Sequence, residues 1–209
     1  QHSYTSAGNS ITLNFDDVVF DWDNITDTYD SNSTEAQKKA VADLIYACGV
    51  AVNTTYTTST SSASEMNVVK KIWKNLGYAE TVSYRERWFY TATQWEDLIY
   101  NELSNNRPVL YTGGNIDRHA FVCDGYNADD DTYHFNWGWG GAFNGYFKIS
   151  ALKIQQGSIN YDFEERQTII IGIQKPAEGQ VHNTPIFCTG NYSALYKANV
   201  GYTYLKCTD

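Results

Sequence analysis

The chain has 209 residues, of which 42% are hydrophobic, 15% aromatic and 19% charged, enough to bury a substantial core in one domain with at most a small appendage. With 15 Lys and Arg against 24 Asp and Glu, the net charge is -9 and the pI near 4.8, which speaks against nucleic-acid binding and attachment to anionic lipid. No apolar run approaches the roughly 20 residues of a membrane-spanning helix, and the aromatic content is too high for a disordered chain.

Residues 1–25 read as strand and turn, with apolar runs at 11–13 and 18–20. Thr34 with Gln37 forms a capping-box pattern that opens a helix over 35–48. Its apolar residues Val41, Leu44, Ile45 and Cys48 fall on one stripe, expected to face the core, and Gly49 is expected to stop it. A Thr/Ser-rich loop covers 53–64. A second helix is expected over 65–75, ending at Gly77, and a third over 93–105, buried through Trp95, Leu98, Ile99 and Leu103. After Arg107 and Pro108 the pattern turns to strands at 109–111, 119–126, 133–137 and 145–149, with a turn at Gly113 and Gly114. Residues 168–173 are apolar and β-branched and read as a buried strand. Helices first and an antiparallel meander afterwards make the fold class α+β and argue against a βαβ repeat. The composition shifts toward Gly, Asn, Thr and Pro beyond Lys175 and Pro176. Hence 1–176 reads as the domain, and 177–209 as a C-terminal tail or the start of a β module.

The four cysteines, Cys48, Cys123, Cys188 and Cys207, form no CxxC pair, which argues against a zinc knuckle or a dithiol redox motif. Cys188 and Cys207 are a disulfide pair if the protein is exported and free thiols otherwise. The chain begins with Gln1 and shows no signal peptide, so either an upstream segment is removed or the sequence starts inside a longer protein.

Chemistry concentrates in 107–152. His119 opens an apolar strand just after a glycine turn, a position at a sheet edge where a cleft forms. Asn136 and Trp137 lie one hairpin away, where an Asn or aromatic side chain can orient an imidazole through its second nitrogen. The run Trp137-Gly138-Trp139-Gly140-Gly141 is costly as a mere loop, since Gly permits close approach to a ligand and Trp shields a hydrogen bond from water. A packed aromatic hairpin is the alternative. A metal site built from His119, Cys123, Asp124 and His134 is the rival chemistry, but no ligand spacing fits zinc or an EF-hand, and the acidic run at 129–131 reads as a solvated hairpin tip. No metal and no cofactor is expected.

The stretches "NELSNNRPVLYTGG", "RHAFVCDGY" and "YHFNWGWGGAFNGYFKISAL", with "FDWDNI" upstream and "QTIIIGIQKP" downstream, resemble the streptopain family of secreted bacterial cysteine peptidases, of the papain-like clan, over about 1–176. The resemblance implies a papain-like fold, peptide or protein substrates, and a secreted, cell-surface or periplasmic location. It implies that His119 is the general base paired with a Cys nucleophile, positioned and shielded by Asn136 and Trp137. It also sets Ser61, Ser62 and Ala63 on the S2 side of the cleft, assigns Trp139 to substrate contact, and aligns the family's mobile Gly-rich loop with 155–160, where this chain has less glycine.

In that family the nucleophile sits in a Gly-Cys-x-Ala-Thr-Ala stretch, which this sequence lacks. Cys48 ends a helix, where the dipole disfavours a thiolate, and belongs to the expected core stripe. Cys123 is four strand residues from His119, roughly 13 Å away. The expectation is therefore the His-bearing portion of a cysteine endopeptidase, inactive unless a Cys-bearing N-terminal chain or propeptide region is supplied, with an apolar trench where that segment packs. A non-catalytic pseudopeptidase that binds or inhibits a partner is the competing reading.

Overall fold

At the N-terminus β1 (His2–Ser6) and β2 (Asn9–Leu13) form an antiparallel hairpin. It turns at Ala7 and Gly8 with φ of 47° and 83°, the left-handed geometry of a two-residue turn. The structure is a computed structural model that describes residues 1–115 and 118–178. Residues 1–177 form one compact unit. Cys188, Cys207 and nearly all of the expected tail lie outside the described residues.

Helix α1 (Glu35–Ala51) starts as expected: Thr34 Oγ1 accepts from the Gln37 N–H, and the Gln37 side chain accepts from the Thr34 N–H. Such a cap stabilises a helix by about 1 kcal/mol. Two expectations about α1 are corrected. The helix runs through Gly49, where a Cβ would stand 1.9 Å from the Tyr56 hydroxyl, so Gly49 serves close packing and not termination. Burial falls on the small residues Ala40, Ala47, Val50 and Ala51, while Ile45 is 63% exposed and Cys48 is exposed. Small side chains let α1 approach α2 (Glu65–Leu76) and the 3-10 turn at Trp22–Asn24 closely, and the larger stripe is half-covered at Val41 and Leu44 and open at Ile45 and Cys48. The run at 18–20 forms no strand, and Val19 is exposed.

Between α1 and α2 lie the two-residue strands β3 (Thr55–Tyr56) and β4 (Ser61–Ser62), paired antiparallel. Helix α2 ends at Gly77 with φ 72°, the left-handed cap its sequence announces. The chain then forms β5 (Ser83–Glu86), which no pattern in the sequence marks, and α3 (Ala92–Ser104), opened by a second capping box from Thr91 and Gln94. Strands β6 (Val109–Gly113), β7 (His119–Asn127), β8 (Thr132–Asn136) and β9 (Gly145–Phe147) follow as a meander. Next come the hairpin β10 (Lys153–Gln156) and β11 (Ile159–Asp162), then β12 (Thr168–Ile171).

Six strands make one antiparallel sheet in the order β5-β12-β6-β7-β8-β9. The α+β class holds, although β5 joins the sheet from the helical half. Along β7 alternate residues face opposite sides. Phe121 and Cys123 are buried on the face that carries His119, beneath α3. The core there is aromatic: the Trp95 indole donates to the Tyr111 hydroxyl at 3.0 Å, and Tyr111, Phe121 and Phe135 pack ring on ring at 5.2–5.7 Å. Each large side chain so buried contributes about 1.5–3 kcal/mol, which makes this the rigid floor on which the site rests.

Candidate active site

His119 is the first residue of β7, paired in register with Gly113 at the end of β6. Its Nε2 lies 2.7 Å from the main-chain carbonyl oxygen of Trp137. A carbonyl only accepts, so Nε2 carries the proton and the neutral ring presents its lone pair at Nδ1. Among the described residues Nδ1 has no hydrogen-bond partner. Trp139 stacks on the imidazole at 4.8 Å and 24°, and Phe121 and Phe163 flank it at 6.0 and 5.9 Å.

The Trp137 carbonyl is itself held fast. Its indole is fully buried and donates to the Phe143 carbonyl at 2.9 Å, and its N–H donates to Asn144 Oδ1 at 3.1 Å. Gly138, Gly140 and Gly141 have φ of 75°, 63° and 87°, so this loop reverses direction where a side chain would be strained. The Asn136 side chain does not reach the imidazole: it is exposed, and its Oδ1 accepts from the Gly138 N–H at 3.0 Å. The orienting group is therefore main chain, with Asn136 shaping the turn that aims it. No residue pattern announces a backbone carbonyl in this role.

Several contributors lie outside the residues expected from the sequence. Phe163 stacks on Trp137 at 5.0 Å from a segment with no strong periodic pattern. Arg118 ties the start of β7 to α2 and β12: it donates to Glu65 Oε2 at 3.0 Å, to Thr168 Oγ1 at 2.8 Å and to the Arg166 carbonyl at 3.1 Å. The Thr168 hydroxyl in turn donates to the second Glu65 oxygen. An Arg directly before the candidate His was the available signal.

Neither described cysteine stands at Nδ1. Cys123 is fully buried below Phe121, and burial first, then the charge of Asp124, pushes its thiol far above the ordinary range. Cys48 is on α1; the residue is exposed, yet desolvation of its sulfur still raises the thiol. Ser61, Ser62 and Ala63 are exposed on and beside β4, with no hydrogen bond to the His119 cluster. Asp124 and His134 pair with each other at 2.5 Å on the outer side of the sheet, apart from His119 and Cys123. Among the described residues no three His, Cys, Asp or Glu side chains gather as a metal site, and no helix is long and apolar enough to cross a membrane.

The sequence profile of the Peptidase C10 family matches residues 1–147. The chain belongs to the peptidase C10 family. It is 33% identical to streptopain of Streptococcus pyogenes over 185 residues, covering 83% of this chain and 46% of streptopain. It is 30% identical over 166 residues to the thiol protease/hemagglutinin PrtT of Porphyromonas gingivalis, covering 78% of this chain and 19% of that protein. The chain thus spans about half the length of streptopain. Among solved structures, active interpain A cysteine protease of Prevotella intermedia superposes with a TM-score of 0.73 at 32% identity, covering 83% of this chain and 74% of that one. This C10 member accordingly has the papain-like cysteine peptidase fold, and its relatives are bacterial.

Proposed function

We propose that residues 1–176 are the His-bearing portion of a secreted or surface-located bacterial cysteine endopeptidase. His119 acts as its general base and acid, and the nucleophilic thiolate comes from a segment outside the described residues. The observation that carries this reading is the imidazole itself. The Trp137 carbonyl occupies Nε2, Trp139 covers one face of the ring, and Nδ1 in the ring plane has no partner among the described residues, as an incoming thiol requires. In the cycle, Nδ1 takes the thiol proton and the sulfur bonds to the scissile carbonyl carbon. The carbon–nitrogen bond then breaks as Nδ1 returns that proton to the leaving amine, and water activated by the same nitrogen hydrolyses the thioester. The Nε2–H to carbonyl bond keeps the ring from turning, and the stacked indole of Trp139 keeps bulk water off its face.

The exposed stripe of α1, with Val41 and Leu44 half-buried and Ile45 and Cys48 exposed, supports a docking place for the thiol-bearing segment. The test compares the chain with the full protein purified from its source, using an epoxysuccinyl thiol reagent and a fluorogenic peptide. The full protein is expected to label and cleave, and His119→Ala to lower cleavage by about 10²–10⁴-fold. The 209-residue chain alone is expected to do neither. Labelling of the chain alone that His119→Ala removes would refute the divided site, and a full protein that never labels would favour a pseudopeptidase.

A further inference from the structure

The hairpin β10–β11 carries one face of the site out into solvent. Ile159 and Tyr161 lie on the same side of β11, and Phe163 continues the alternation just past its end. Ile154, opposite Tyr161 in register, is buried, so this is the side turned toward the protein. Along the row Phe163 is buried, but Tyr161 is 45% and Ile159 37% exposed, although both face inward. Tyr161 packs on Trp139 at 4.9 Å and lies parallel to Phe163 at 6.1 Å, and Trp139 stacks on His119. An aromatic ledge thus runs from the imidazole outward. The acidic residues of this segment are turned off it: Asp162 and Glu164, one step out of phase, are both held by Lys153, at 3.3 and 2.7 Å.

We propose that Trp139 and Tyr161, with Ile159 at the outer end, form the subsite for the substrate residue on the leaving side of the scissile bond, and that it selects aromatic and long aliphatic side chains. This rests on the role assigned to His119 above. Nε2 is committed to Trp137, so the proton reaches the leaving amine from Nδ1, which sets that amine about 3 Å from the ring. The Cβ of the residue carrying the amine lies roughly 2.5 Å farther on. Its side chain therefore begins within about 6 Å of the imidazole and extends past Trp139 to Tyr161. An apolar, uncharged ledge at that distance favours a large apolar group over a small polar one. Tyr161 is thus a specificity-determining residue.

The experiment titrates free-amine dipeptide amides, Phe-Ala amide and Ser-Ala amide, into the full chain and follows the indole N–H resonance of Trp139 by NMR. Phe-Ala amide should move that resonance and bind about threefold to tenfold more tightly than Ser-Ala amide. Tyr161→Ser should bring the two affinities together, while Tyr161→Phe should keep the preference. Unchanged chemical shifts of the His119 ring in both variants establish that the stack survives. A Trp139 resonance that neither peptide moves, or a preference that persists in Tyr161→Ser, overturns the subsite. No bond is cleaved in this measurement, so lack of peptidase activity counts against the catalytic reading alone, and an active enzyme without the preference counts against the ledge alone.

Discussion

Position 113 has room for a hydrogen atom and nothing larger. A Cβ there would stand 2.4 Å from the main-chain oxygen of Phe163 and 3.1 Å from its Cβ. Gly113 is the register partner of His119, and Phe163 stacks on Trp137, so three parts of the site meet at this contact. The obstructing atom is backbone, which no rotamer change can move aside. Gly113→Ala is therefore expected to cost about 1–3 kcal/mol, the range for overpacking a tight core, as read from the urea midpoint. It should also displace Phe163, and with it the ring resonances of His119. A stable variant with unshifted His119 signals would show that the two strands have slack there. In the sequence Gly113 looked like half of a turn. Only Gly114, with φ of 116°, has turn geometry; Gly113 is in the strand, paired with His119, and the near backbone of Phe163 is why no larger residue fits there.

At the scale of elements, the C-terminal end of α3 is tied by Glu102 to the loop that enters β6 and to the backbone just past β12. Glu102, near its C-terminal end, is almost wholly buried. It accepts two hydrogen bonds from Arg107, at 2.8 and 2.9 Å, and one from the Gly172 N–H at 2.9 Å. Burial works against the charge, but the bonds from Arg107 and Gly172 outweigh it and hold the carboxyl below its usual range. A depressed folded-state value means the pair stabilises fully above the unfolded carboxyl range, near 4.3, and loses its effect as pH falls through the folded value. Glu102→Gln is expected to lower stability by about 1–3 kcal/mol at neutral pH. The gap to wild type should narrow as pH falls below the unfolded carboxyl range, because the unfolded chain takes up that proton first; urea melts at pH 7 and pH 3 measure this. A gap independent of pH would mean the charge is immaterial. The elements read correctly from the sequence share a local cause: Thr34 with Gln37, Gly77 as a left-handed cap, and alternating apolar strands from β6 to β9. The elements that escaped are decided by partners far along the chain. β5 is a strand because β12 pairs with it, and β10–β11 is a hairpin although its sequence reads as loop. On α1 the apolar stripe was legible, but which face the rest of the protein covers was not, because alanines dock more closely than isoleucine.

For the whole molecule, that uncovered stripe is the feature with the largest consequence. An amphipathic helix ordinarily turns its larger apolar residues inward, yet α1 turns out Ile45, 63% exposed, with Cys48 exposed beside it one turn on. Streptopain is more than twice as long as the part matched here, and active interpain A extends beyond its 74% match. A protein with the same fold and more chain has material available to cover this face. Ile45→Lys separates intrinsic stability from assembly, because it keeps a good helix former at an exposed site. The chain's own stability should change by no more than about 0.5 kcal/mol. In the full protein, burial of Ile45 against the thiol-bearing segment would contribute about 1.5–3 kcal/mol, so Ile45→Lys should reduce recovered peptidase activity and thiol labelling at least about tenfold. If urea melts of the chain show a large loss, Ile45 is supporting α1 itself. If the full protein retains wild-type activity, the segment that delivers the thiol packs on some other face, and the stripe on α1 has a different partner.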